Sequence, residues 1–201
     1  MLITRHPSEA ALAAHGAGTM PEGLSLAVAT HLGFCPVCRE AAGLVAALGG
    51  AMLEAVEPVA MAEDALAMVL ARAERPVPLS PSRPRDATLP PPLDRAVFGA
   101  WRDVAPGYRW RGLRTGGAAW AGLLRAEPGC VLTGHDHTGL ELTCVLTGAL
   151  ADASGRYGPG DVMEGEPGHV HEPRVDGTEP CLCVIAGEGD AIRGLLALIR
   201  R

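Results

Sequence analysis

Along the first 75 residues apolar side chains return every three or four positions in an Ala- and Leu-rich background with few β-branched runs, which is the period of helices with one buried face. Three or four helices fit. One begins after Ser8, a residue that can cap it; a second runs through Leu24 to His31. A third starts near Pro36, which has no N–H to lose in a first turn, and the pair Gly49 and Gly50 is expected to end or bend it. A fourth covers about Glu63 to Arg75.

After Leu93 the pattern changes to short apolar runs, AAWAGLLRA, ELTCVLTGAL and PCLCVIAG, divided by Gly, Pro and Asp every 8 to 12 residues or so. That predicts an all-β sandwich or barrel. A terminal helix is expected behind it, capped by Asp190, with Ile192, Leu195, Leu196 and Ile199 on one face. Between Pro76 and Pro92 seven prolines in seventeen residues exclude helix interior and central strand, and they predict a semi-rigid, extended spacer. The chain therefore reads as α+β in two domains: a small helical bundle over 1–75, a Pro-rich linker over 76–92 and a β-domain over 93–201.

Apolar residues make up 48% of the 201 and aromatics only 3%, so the cores must rest on Leu, Val and Ala. The net charge is −6 and all 17 basic residues are Arg, which leaves no broad Lys-rich surface for a phosphate backbone. Residues 1–75 are themselves acidic, with eight Asp or Glu against four Arg, a poor composition for a DNA-reading helix pair and a good one for covering a basic protein surface. No stretch approaches about 18 unbroken apolar residues, and MLITRHPSEA lacks the layout of a secretion signal; a cytoplasmic chain without a membrane partner is expected. In a reducing compartment its six cysteines are better candidates for free thiols or metal ligands than for cross-links.

Two constellations carry chemistry. In HLGFCPVC, His31, Cys35 and Cys38 form a HxxxCxxC array across a helix junction. Two sulfurs three residues apart at a helix start can meet at one point, and a His four residues earlier can close on the same ion. Zinc, tetrahedral and tolerant of mixed thiolate and imidazole, suits the array and calls for a fourth ligand, for which His6 and His15 are both available. The bland readings are a redox pair or two buried thiols, but a redox CxxC of the thioredoxin kind follows a strand, and this one follows a helix.

In the second half, GCVLTGHDHTGLELTCVLTG sets His135 and His137 on one face of a strand, with Glu141 sharing their parity if the strand continues, while GDVMEGEPGHVH supplies His169 and His171 about 30 residues on. Three imidazoles and a carboxylate suit zinc, iron, manganese or nickel. A chance HxH is common; here the glycines mark turns that agree with the ligand parity. Cys181 and Cys183 share a face of a late strand and are candidates for oxidation, with buried inert thiols as the alternative.

The second constellation resembles the cupin family's first motif, GxxxxxHxHxxxExxxxxxG, at every defined position from Gly129 to Gly148. The cupin second motif aligns on Gly160, Gly168 and His171, with Glu166 in place of its proline and Val175 in place of its asparagine. The resemblance thus gives the fourth ligand role to His171 and implies a barrel with a metal at His135, His137, Glu141 and His171. Nearly the whole chain resembles the ChrR-like anti-sigma factors, which join a zinc-binding helical module to a C-terminal cupin. That resemblance implies a first zinc at His6, His31, Cys35 and Cys38 and selects His6 over His15. It further implies a regulator and not an enzyme, with two zinc sites, the second open to another divalent metal. The implied partner is an extracytoplasmic-function sigma factor, released on oxidative stress of the singlet-oxygen or organic-hydroperoxide type. The rival readings are a metal-dependent cupin oxygenase or isomerase, and a regulator whose helices bind DNA directly.

Overall fold

The computed structural model describes residues 2–75, 85–132, 137–168 and 170–189. Four helices come first: α1 (Glu9–Gly16), α2 (Glu22–Phe34), α3 (Pro36–Glu54) and α4 (Ala65–Ala73). Nine strands follow: β1 (Arg102–Ala105), β2 (Tyr108–Gly112), β3 (Trp120–Ala126), β4 (Glu141–Thr147), β5 (Leu150–Asp152), β6 (Gly155–Tyr157), β7 (Val162–Gly165), β8 (Arg174–Val175) and β9 (Cys181–Gly187). They make a six-stranded antiparallel sheet in the order β1-β2-β3-β9-β4-β7 and a three-stranded sheet in the order β6-β5-β8. The terminal helix expected after Asp190 lies outside the described residues.

Local chemistry explains the helix ends. Ser8 caps α1, its Oγ accepting the Ala11 N–H at 3.2 Å. Cys35, extended at φ −103° and ψ 107°, ends α2 and caps α3, and Pro36 takes the first position of α3. The Gly49–Gly50 pair does not end α3, which runs on to Glu54. Each glycine costs about 1 kcal/mol relative to alanine, and strong helix formers on both sides, Ala46, Ala47 and Leu48 before and Ala51, Met52 and Leu53 after, carry the helix through.

The central strands are apolar on both faces, because each face covers a different core. In β9, Cys181, Cys183 and Ile185 point between the two sheets with Trp110, Leu124 and Val145. Val184 and Ala186 point the other way, and with Leu123, Leu142 and Cys144 they meet Leu24, Ala27 and Val28 of α2. This period-two division leaves β4 buried at every residue but its last. The helical and β halves thus share one continuous core. The spacer predicted before it is in part a packed segment: Leu89 is buried in that core beside Leu93, which opens a short 3-10 turn, Leu93–Arg95. Residues 76–84 lie outside the described residues.

A shared core makes a prediction. Leu24→Ala, which empties a fully buried position between α2 and the sheet, is expected to cost about 2–5 kcal/mol. Urea unfolding should show far-UV helical signal and tryptophan fluorescence shifting together to a lower midpoint; separate transitions would contradict a common core.

Candidate metal centres

The first centre lies where α2 hands over to α3. One donor atom from each of His6, His31, Cys35 and Cys38 falls within 4.8 Å of the others. The His6 Nδ1 stands 3.5 Å from the Cys35 Sγ and 3.3 Å from the Cys38 Sγ. A tetrahedral zinc with bonds of about 2.3 Å to sulfur and about 2.1 Å to nitrogen separates the two by roughly 3.6 Å, so the spacing fits that ion. His15, the other histidine of this half, instead pairs its Nδ1 with the Ser25 Oγ at 2.8 Å.

The tautomer of His31 is settled by its neighbour. Its Nδ1 lies 2.6 Å from the Gly160 carbonyl oxygen, which can only accept, so Nδ1 carries the hydrogen. The Nε2 is then a bare lone pair, fully buried, with no hydrogen-bond partner among the described residues. Burial, the largest influence on this ring, lowers its pKa and keeps it neutral, the form that ligates. Gly160 has φ +88°, and a Cβ there would collide with Ile3 and Phe34, so only glycine brings this carbonyl so close.

The thiols are held ready by the fold. Cys35 and Cys38 sit at the start of a 19-residue helix, whose positive end favours thiolates, and the Cys38 N–H points at the Cys35 Sγ at 3.4 Å. Without a cation, burial pushes the Cys38 thiol up to about 11, with the neighbouring Cys35 adding to it. A bound cation supplies the opposite charge that such buried sulfurs call for.

The second centre lies in the barrel. His137, Glu141 and His171, all buried, bring donor atoms within 4.8 Å of one another. Two imidazole nitrogens, the Nε2 of His137 and the Nε2 of His171, are 3.0 Å apart, and the His137 Nδ1 is 3.6 Å from the Glu141 carboxylate. Burial pushes the Glu141 carboxyl up to about 7, the cost of holding a carboxylate in an apolar wall. Asp152, its side chain buried on β5, places a carboxylate oxygen 3.9 Å from the His171 Nδ1.

The strand does not run on from His137 to Glu141. β4 begins at Glu141, and His137 lies in the preceding loop, bridged in parallel to Pro167. The glycine at Gly165 makes room for its ring, since a Cβ there would come within 2.6 Å of the His137 Nε2. His135 and His169 lie outside the described residues. Cys181 and Cys183 face the interior between the sheets, at 1% and 2% exposure. The hydrogen bond with Cys181, together with burial, raises the Cys183 thiol well above its ordinary range, so neither sulfur is presented to a soluble oxidant.

Residues 98–188 match the family model described as the ChrR cupin-like domain. The chain is 40% identical to the anti-sigma-E factor ChrR of Cereibacter sphaeroides, across 92% of this chain and 90% of that protein. Its structure superposes with a TM-score of 0.79 and 38% identity on the anti-sigma ChrR of Rhodobacter sphaeroides, crystallised in complex with SigE, covering 93% of this chain and all of the other.

Proposed function

The chain belongs to the ChrR family of anti-sigma factors, and from that membership we propose that it binds and inhibits an extracytoplasmic-function sigma factor through its helical half. The observation that carries this reading is an unpartnered row of large apolar side chains on the last two helices of the helical half. α3 buries only Cys38, and α4 buries none of its side chains. Leu44, Leu48 and Met52 follow one another at four-residue steps along α3, while Leu66, Val69 and Leu70 stand on α4, all more than half exposed. α3 has the length and composition of a membrane span, 19 residues at mean hydropathy 1.2. Its first turns nevertheless carry Arg39, Glu40 and a ligand of the metal centre, which suits a protein partner better than a bilayer.

In this reading zinc at His6, His31, Cys35 and Cys38 is structural. It would tie the segment before α1, the end of α2 and the start of α3 to one point, fixing the direction in which α3 projects. The second centre would serve as the sensor, its metal held by His135, His137, Glu141 and His171, and an oxidant of the singlet-oxygen or organic-hydroperoxide type would end the grip on the sigma factor. The location that goes with this role is cytoplasmic.

An enzymatic reading draws on one feature: His171 and Asp152 also line an open groove with Ser154, Glu172 and Arg174, wide enough for a small ligand. Metal content separates the two. The purified chain is expected to hold two zinc ions, and Glu141→Gln, which removes one anionic donor from the barrel, is expected to lower the barrel metal's affinity by more than the roughly 10- to 100-fold typical of losing an outer-shell support, while sigma-factor capture persists. One zinc with one iron per chain, and turnover of a substrate lost in Glu141→Gln, would favour the enzyme.

A further inference from the structure

Half of the first centre's donor set is held in place by the barrel. The segment from Ile3 to Ser8, which carries His6, has no regular structure of its own and lies along the outer edge of β7, the last strand of the large sheet. Val162 donates its N–H to the Arg5 carbonyl at 3.1 Å. The Asp161 Oδ1 accepts two successive backbone N–H groups, Thr4 at 2.8 Å and Arg5 at 2.9 Å, and its Oδ2 accepts the Gly158 N–H at 2.8 Å. On the other side of His6, the Glu164 carboxylate accepts both the N–H and the Oγ–H of Ser8, each at 2.8 Å. His6 is therefore suspended between two anchors, Asp161 just before β7 and Glu164 within it, and the turn that leads into that strand offers the Gly160 carbonyl to His31.

Asp161 is 5% exposed. A carboxylate buried to that degree is costly unless its oxygens are satisfied, and three backbone donors satisfy it. Its hydrogen bonds named above go to backbone groups and not to a donor atom of the metal centre, and its charge also acts on the His31 ring. We infer that Asp161 is a positioning residue for the first metal centre, setting its affinity by fixing the backbone of residues 4–5 and hence the imidazole of His6. The inference rests on the reading that this cluster holds a metal. It makes the barrel a part of the anti-sigma module's metal site: a movement of β7 would reach His6 through Asp161 and His31 through Gly160. The same strand ends at Gly165, which seats His137 of the second centre.

The test is a Co²⁺ titration of the full-length chain, followed by the thiolate-to-cobalt charge-transfer absorption. That band reports the first centre, because the second has no sulfur donor among the described residues. Asp161→Ala is expected to weaken Co²⁺ binding at this band roughly 10- to 100-fold, the effect of losing an outer-shell support. The comparison is repeated in a His6→Ala background, where a residue acting through His6 has nothing left to position, so most of the penalty should vanish. An unchanged affinity for Asp161→Ala, or an equal penalty in both backgrounds, would overturn the assignment. Should Asp161→Ala fail to fold, Glu164→Ala releases the other anchor and gives the same pair of outcomes, with a several-fold penalty expected only when His6 is present. If the native chain shows no thiolate-cobalt band at all, the metal reading itself fails; a native band with an unaltered Asp161→Ala sinks only the role of Asp161.

Discussion

Replacing Cys35 and Cys38 together by alanine is expected to abolish capture of the sigma factor. The two sulfurs do more than complete a donor set, because Cys35 also ends α2 and begins α3, so a metal held there would sit on the corner that aims the proposed docking helix. A structural zinc supplies about 10–16 kcal/mol of apparent binding energy at neutral pH, a quantity comparable to the whole stability of a domain. If only about 3 kcal/mol of it holds α3 in its binding direction, the complex weakens more than about 100-fold. Both sulfurs border the core that α2 shares with the large sheet, although the core between the two sheets contains neither, so β-sheet circular dichroism and tryptophan emission are read beside the pull-down, and a folded variant that has lost the partner is the expected result. Undiminished capture by the double variant would show that the cluster does not organise the clamp.

The second large effect is expected on the outer face of α3. Leu44→Asp combined with Leu48→Asp places two charges in the middle of the proposed contact, at positions that are 69% and 64% exposed in the free chain. Truncating one buried anchor of an interface costs about 2 kcal/mol or more, and a desolvated charge adds to that, so the pair should weaken binding by roughly 1000-fold. The same substitutions leave the free protein's unfolding midpoint within the small range typical of surface changes, because neither leucine is in a core. Isothermal titration against the sigma factor, with thermal melting as the control, reads both. Binding at native strength would mean that the sigma factor docks elsewhere.

These two experiments also mark where the sequence was legible. Ser8, Pro36 and the change of apolar period after Leu93 foretell the helix starts and the β half, because capping, proline geometry and residue alternation act locally. The HxxxCxxC spacing likewise gathers His31, Cys35 and Cys38, since a helix end fixes all three. What the sequence hides is non-local. Nothing in the spacing of Asp161 or Glu164 tells that they bind a segment more than 150 residues away, and local period cannot show that α2 lies on the back of β4 and β9. The strand parity of His137 and Glu141 misleads for a related reason: a loop held by a bridge to Pro167 reaches the same point without being a strand. A proline-rich stretch signals the absence of helix, but the burial of Leu89 within its second half depends on a core that other residues build.

Metal-organised helices that grip a protein partner are the core of the proposed function. Its most direct test is the affinity of the native chain for an extracytoplasmic-function sigma factor, measured by titration calorimetry before chelation, after chelation and after zinc is restored. A tight one-to-one complex that is lost with the metal and regained with zinc is the expected result. Failure to bind in the zinc-loaded state, or equal affinity in all three states, would contradict it.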